Sequence, residues 1–201
     1  DLHTAYRRQR QMCIRDSRLI VRMGYNYSYN SAGGALVNNT ITTNSYSIRA
    51  GFESAGNILY GISKMINMRK NKDGEYAILG IPYAQYLKGD FDFAKNIIID
   101  HRNSLAFHAG IGIAVPYGNA KVVPFEKRYF SGGANSVRGW SVRNLGPGSF
   151  AGDGNFMNQS GDIKLDASIE YRTRLFWKFR GAAFIDAGNI WTIRELSLIH
   201  I

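Results

Sequence analysis

The strongest candidates for chemistry in this 201-residue chain are two carboxylates, Glu170 and Asp186, on either side of the short connection 176–180. If that connection is a symmetric hairpin centred on residue 178, Glu170 and Asp186 are equidistant from its centre and face each other. Like charges directly opposite across a sheet repel unless a cation lies between them. A guanidinium suits that place, because it is planar and can serve two carboxylates with its five donors. Arg172 and Arg174 stand on the same strand face, and the long segment before them supplies Lys127, Arg128, Arg138 and Arg143. A two-residue shift of register would make the acids diagonal neighbours and keep the need for a cation. Paired carboxylates also do acid–base chemistry, but His108 sits amid small residues with no nucleophile placed beside it.

The elements that carry these groups alternate with period two, the mark of strands with one apolar face. Such runs cover 19–29, 46–52, 87–99, 105–117, 163–175 and 181–192. In 163–175 the odd positions include Ile163, Leu165, Ile169 and Tyr171, while the even ones are Lys164, Asp166, Ser168, Glu170, Arg172 and Arg174. An even face with no aliphatic residue cannot line an ordinary sandwich core. The connections alternate between short and long, the layout of an outer-membrane barrel, and the longer strands suit a tilted crossing that needs about 9–11 residues. Tyr25, Tyr27, Tyr29, Tyr117, Trp177 and Trp191 fall near strand ends, where an aromatic girdle would be. The soluble alternative, a β-sandwich, would expose too much Ile, Phe and Tyr.

Composition narrows the classes. A single Cys excludes a disulfide scaffold and a Cys-based metal cluster, and aromatics at 13% argue against disorder. There is no apolar run of helical-span length, and the net charge of +10 is spread without a nucleic-acid footprint. Residues 1–16, basic and aperiodic, and the tail 196–201 are expected to be non-native; the alternative for the first is a basic arm. Within the long connection 53–85, Ile58, Ile62, Met65, Ile66 and Met68 have helical spacing and predict a short amphipathic helix packed on its own loop. The basic run Lys64, Arg69, Lys70 and Lys72 beside it, relieved by Asp73 and Glu75, reads as a solvated tip or a contact for anionic headgroups.

The segment 123–150, VPFEKRYFSGGANSVRGWSVRNLGPGSF, is Gly-rich yet carries Phe125, Tyr129, Phe130 and Trp140, so it is expected to pack and to function. It is not a phosphate loop, because no Gly-Lys-Ser/Thr follows. Gly132, Gly133 and Gly139 are expected to take φ > 0 or to approach a wall closely, and Gly146-Pro147-Gly148 reads as a turn.

On PFEKRYFSGGANSVRGWSVRNLGP, followed by FIDAGNIW at 184–191, the chain resembles the BamA/TamA superfamily of outer-membrane assembly barrels, the bacterial surface antigens. GNILYGISK and ILGIPYAQY resemble Bacteroidota-type members. The resemblance implies an all-β fold: part of an antiparallel transmembrane β-barrel, about six strands of an expected sixteen or so, occupying 17–195, with POTRA domains upstream and a loop inserted into the lumen. It also implies that the loop's Val137-Arg138-Gly139-Trp140 tip meets acidic groups on the inner wall, which makes Arg138 the candidate latch to Glu170 and Asp186, with Arg172 or Arg174 as the rival cations. Gly132, Gly133, Pro124 and Phe125 would shape the loop. The implied function is assembly or insertion of outer-membrane proteins. Its implied partners are the outer-membrane bilayer, unfolded client proteins and accessory lipoproteins, with no nucleic acid, no cofactor and no catalytic residue. A two-partner-secretion transporter and an outer-membrane barrel enzyme are the alternatives.

Overall fold

The alternating runs form strands in a computed structural model that describes residues 18–31, 36–37, 40–41, 44–71, 74–149 and 159–193. The stretches expected to be non-native, Lys72, Asp73 and Phe150 lie outside those residues. In chain order the elements are β1 (Arg22–Asn30), the short pair β2 (Leu36–Val37) and β3 (Thr40–Ile41), and β4 (Ser45–Ala55). Helix α1 (Asn57–Met65) and the pair β5 (Ala77–Ile78) and β6 (Ile81–Pro82) follow. Then come β7 (Tyr86–Ile98), β8 (Asn103–Pro116), β9 (Ile163–Arg174) and β10 (Arg180–Trp191). The six long strands form one sheet in the order β1-β4-β7-β8-β9-β10, so each pairs with its sequence neighbours and no connection crosses over.

Register decides which residues share a face. β8 and β9 are antiparallel with His108 opposite Ser168 and Gly110 opposite Asp166. β9 and β10 pair with Glu170 opposite Phe184 and Asp186 opposite Ser168. The expected hairpin centred on 178 is therefore corrected by two residues in pairing. Leu175 N–H donates to the Phe179 carbonyl, which leaves a three-residue turn centred on Trp177, whose φ is 52°. A bulky residue in the left-handed region carries no sequence flag of the kind Gly or Asn would give. Glu170 and Asp186 are diagonal neighbours.

The two faces are inverted relative to a soluble sheet. On β9, Asp166 is 4% exposed whereas Leu165 and Ile169 on the opposite face are 49% and 47% exposed. An apolar face that stays open beside polar residues that are covered as far as Glu170, with Arg172 and Arg174 exposed beyond it, fits a strand with lipid on one side and a partly filled lumen on the other.

The chain divides into two compact units, one of 1–24, 53–87 and 115–127, the other of 25–52, 88–114 and 128–201. In the first, Ala55, Ala84 and Tyr86 make a small core with Ile20 against it. Glu53 gathers the Tyr86 hydroxyl, Arg22 Nη1 at 2.5 Å and Lys127 Nζ at 3.0 Å. Helix α1 corrects one expectation: it forms, but its Ile58–Ile62–Met65–Ile66 stripe is exposed and Ser63 is the buried residue.

In the second unit the β7–β8 turn is held by Asp100, which accepts from Arg102 N–H at 2.7 Å, Asn103 N–H at 2.9 Å and the Asn103 side-chain amide at 2.7 Å. The Asn103 amide, then the backbone donors, hold the Asp100 carboxyl below its ordinary value. A lowered folded-state value means the turn's stabilisation is complete above the unfolded carboxylate pKa of about 4 and is lost as pH falls through the lower, folded value. Protection of the Asn103 amide, measured as exchange relative to its intrinsic rate, is expected to fall below about pH 4, and Asp100→Asn is expected to flatten that dependence. Protection that stays constant between pH 6 and pH 3 in the unaltered protein refutes this.

Candidate functional site

The site lies in the second unit, where the Gly-rich loop meets the inner face of β8, β9 and β10. Local chain geometry builds the tip first. Ser131 and Leu145 bridge, Arg143 N–H donates to the Ser131 carbonyl at 3.1 Å, and Gly133 N–H donates to the Trp140 carbonyl at 2.8 Å. Gly132, with φ 99°, brings its α-carbon against the Ser141 carbonyl so closely that a Cβ would sit 2.2 Å from that oxygen. Gly133 has φ 91°. Gly139 departs from expectation: its φ is not left-handed, and nothing lies within 4 Å of where a Cβ would be. The turn there closes through Trp140 N–H to the Val137 carbonyl at 3.2 Å, which an ordinary backbone can make.

Arg138 projects from this tip onto the two acids. Its Nε and Nη2 donate to Asp186 Oδ2 and Oδ1, both at 2.7 Å, and its own backbone N–H adds a third bond to Asp186 at 3.0 Å. Its Nη1 donates to Glu170 Oε2 at 2.5 Å. The fork takes one carboxylate and the remaining edge takes the other. The register explains the fit: diagonal carboxylates leave room for a guanidinium over Phe184, the residue opposite Glu170, and Cζ of Arg138 lies 3.6 Å from that ring's centre. Asp186, then Glu170, raise the Arg138 pKa above its already high ordinary value. The rival cation is present as well, since Arg172 Nε reaches Glu170 Oε1 at 2.6 Å. Glu170 thus serves two arginines and Asp186 one. The Asp186 side chain is 3% exposed, that of Glu170 17%.

The other motif residues support the tip. Val137 is buried, and a Cβ on Gly188 of β10 would come within 3.0 Å of its Cγ2. Trp140 is half exposed, and the aromatic surface under the guanidinium is Phe184. Pro124 and Phe125 belong to the first unit, where the Pro124 carbonyl accepts Lys127 N–H at 2.9 Å and opens a single 3-10 turn.

Sequence reasoning took Tyr129 as one of four loop aromatics expected to pack and missed its partners, which make it a second anchor. Its hydroxyl donates to Asp90 Oδ1 at 2.6 Å and lies 3.1 Å from the Gly89 carbonyl, with Lys88 Nζ 4.2 Å from the ring centre. The ring lies against Gly112 of β8, where a Cβ would stand 2.5 Å from Tyr129 Cζ. The sequence signals were the aromatic residue in a Gly-rich loop and the glycine at an inward position of β8. His108 lies 3.4 Å from Asp92 Oδ1 and 3.6 Å from Asp166 Oδ2, and Lys164 Nζ is 3.1 Å from Asp166. Two carboxylates flank it, and Ser168 stands opposite it across the β8–β9 pair.

A model of the Omp85 superfamily domain matches residues 15–196. The outer membrane protein assembly factor BamA of Neisseria meningitidis serogroup B is 33% identical over 90 residues, 40% of this chain and 11% of that protein. The crystal structure of BamA from Haemophilus ducreyi lacking POTRA domains 1-3 matches with 17% identity and a TM-score of 0.44, over 86% of this chain and 42% of that one. The chain thus spans about a tenth of the curated relative's length. The six long strands are part of an antiparallel β-barrel of the bacterial outer membrane, and the chain belongs to the Omp85 superfamily.

Proposed function

We propose that this chain is part of the barrel of an outer-membrane protein assembly factor, which inserts unfolded outer-membrane proteins into the bilayer. The observation that carries the reading is the Arg138 fork on Asp186 with its fourth bond to Glu170. A loop that spent its length only covering a pore would not need its tip fixed to a wall by four charge-assisted bonds. In this reading Arg138 is a latch: it fixes the loop against β9 and β10 and holds that part of the barrel in one working shape while client strands form elsewhere. The relative in Neisseria meningitidis carries the name of an assembly factor, which points the same way. Glu170 and Asp186 act as acceptors for this cation and perform no acid–base step.

The test uses the full-length protein reconstituted in vesicles, with a chaperone-held unfolded porin as client. Folded, protease-resistant porin in the membrane is expected to accumulate several-fold faster than in empty vesicles. Rates equal to those of empty vesicles overturn the reading. A client recovered as soluble protein across the membrane overturns it in favour of secretion.

A further inference from the structure

The latch and the inner face leave one part of the chain without a role, the connection from β4 to β7 in the first unit. Helix α1 within it is inside out. Ser63, 1% exposed, faces inward with the Tyr83 hydroxyl 3.3 Å from its own. Ile58, Ile62, Met65 and Ile66, spaced to share one helix face, stand in the open, Met65 at 86% exposure. The β5–β6 hairpin repeats the pattern. Its tip is Leu79, 97% exposed, with φ 51°, followed by Gly80 with φ 81°. Two left-handed residues make the tight turn that Asn-Gly ordinarily satisfies. Leucine adds strain there and buries nothing within the chain, so the fold itself does not account for it.

Both elements are tied to the segment that leads into β1. Gly56 N–H, at the start of α1, donates to the Val21 carbonyl at 2.9 Å. At the base of the hairpin, Leu19 N–H donates to the Pro82 carbonyl at 3.0 Å and Ala84 N–H to the Leu19 carbonyl at 2.9 Å. Leu19, Val21 and Met23 are exposed and alternate with Ile20, which packs on the small core, and Arg22, which bonds Glu53. Their side chains therefore point away from the polar face, toward lipid. Cations accompany the apolar groups: Lys64 Nζ lies 5.2 Å from the Tyr60 ring centre and Lys70 Nζ 5.2 Å from that of Tyr76, with Arg69 exposed between them. Among the described residues of this stretch, the acid Glu75 is engaged by Arg18 at 3.3 Å.

We propose that α1 and the β5–β6 hairpin form a membrane foot. Leu79 and the Ile58–Ile62–Met65–Ile66 stripe enter the bilayer interface, and Lys64, Arg69 and Lys70 meet phosphate-bearing headgroups. The connection is one of the long ones, which places the foot at the outer leaflet. A protein groove fits less well than lipid, because the apolar surface is a projecting tip and a helix face continuous with the lipid-facing strand. Client insertion plays no part in the proposal; it needs only that the neighbouring strands cross the membrane.

The test places single cysteines at Ile62, Leu79 and, as a control, Glu126 in the full-length protein with its other cysteines replaced. Each is labelled with an environment-sensitive fluorophore and reconstituted in phosphatidylcholine vesicles with and without one-third phosphatidylglycerol. Folding is checked by heat-dependent gel mobility. Quenching by nitroxide-bearing lipid is expected to be several-fold stronger at 62 and 79 than at 126, and stronger with the anionic lipid. The triple variant K64Q/R69Q/K70Q is expected to remove the lipid-charge dependence while the barrel stays folded. Equal lipid quenching at all three positions overturns the proposal. So does iodide access at 62 and 79 that disappears only when purified outer-membrane proteins are added, which would assign the surface to a protein partner.

Discussion

Arg138→Ala is expected to slow client insertion about tenfold or more and to lower the temperature at which the barrel loses its heat-resistant mobility. The loss falls chiefly on Asp186. That carboxylate is nearly sealed from water, and its three bonds to the latch all come from Arg138. Removing the guanidinium leaves a charge in a water-poor recess with one backbone donor at most, a loss of about 1–3 kcal/mol or more, and each 1.4 kcal/mol is a factor of ten. Glu170 suffers less, because Arg172 still reaches it. Arg138→Glu is expected to be worse, since it sets a third carboxylate beside the first two. Pairing it with Glu170→Arg is expected to restore only part of the loss, because Asp186 then still faces a glutamate. Arg138→Lys is expected to fall between wild type and alanine, as an ammonium keeps the charge and loses the fork. Insertion and melting both unchanged in Arg138→Ala would falsify the latch.

Gly112→Val is expected to produce the second large effect. A valine there puts carbon where the Tyr129 ring now lies, 2.5 Å from Cζ and 2.6 Å from Cε1. The ring cannot stay, and its hydroxyl loses Asp90 and the Gly89 carbonyl together. Forced overpacking of this kind costs about 1–3 kcal/mol. Tyr129→Phe removes only the hydroxyl and is expected to cost less. The double variant Gly112→Val with Tyr129→Ala is expected to be clearly less harmful than the two singles added together, because one contact is at stake in both. Proteolysis of the loop in the folded barrel reads this directly. Additive effects would mean that the glycine serves the strand and not the ring.

The sequence was most legible where periodicity and local turns decide the outcome. The strict alternation of 163–175 yields β9 and its two chemically different faces, and the same reading yields the other five long strands. The need for a cation near Glu170 and Asp186 could be argued from one hairpin. The register itself was off by two residues, because the turn uses Trp177 in a backbone state that its side chain does not advertise. Contacts over long separations were not legible. Lys127 to Glu53 spans 74 positions and Tyr129 to Asp90 spans 39, and no hairpin symmetry connects them. Helix α1 shows a third limit: spacing gives the helix and its stripe, but only the surroundings decide whether that stripe faces in or out.

The unequal sharing of the latch has a genetic consequence. Glu170 keeps Arg172 after Arg138 is lost, whereas the recess around Asp186 keeps an unmatched charge. Second-site revertants of Arg138→Ala should therefore gather at codon 186, as Asn or a small neutral residue, and be rare at codon 170. One arginine bridging two acids thus leaves an asymmetric pattern of suppressors, and that pattern reports which of the two acids depends on it.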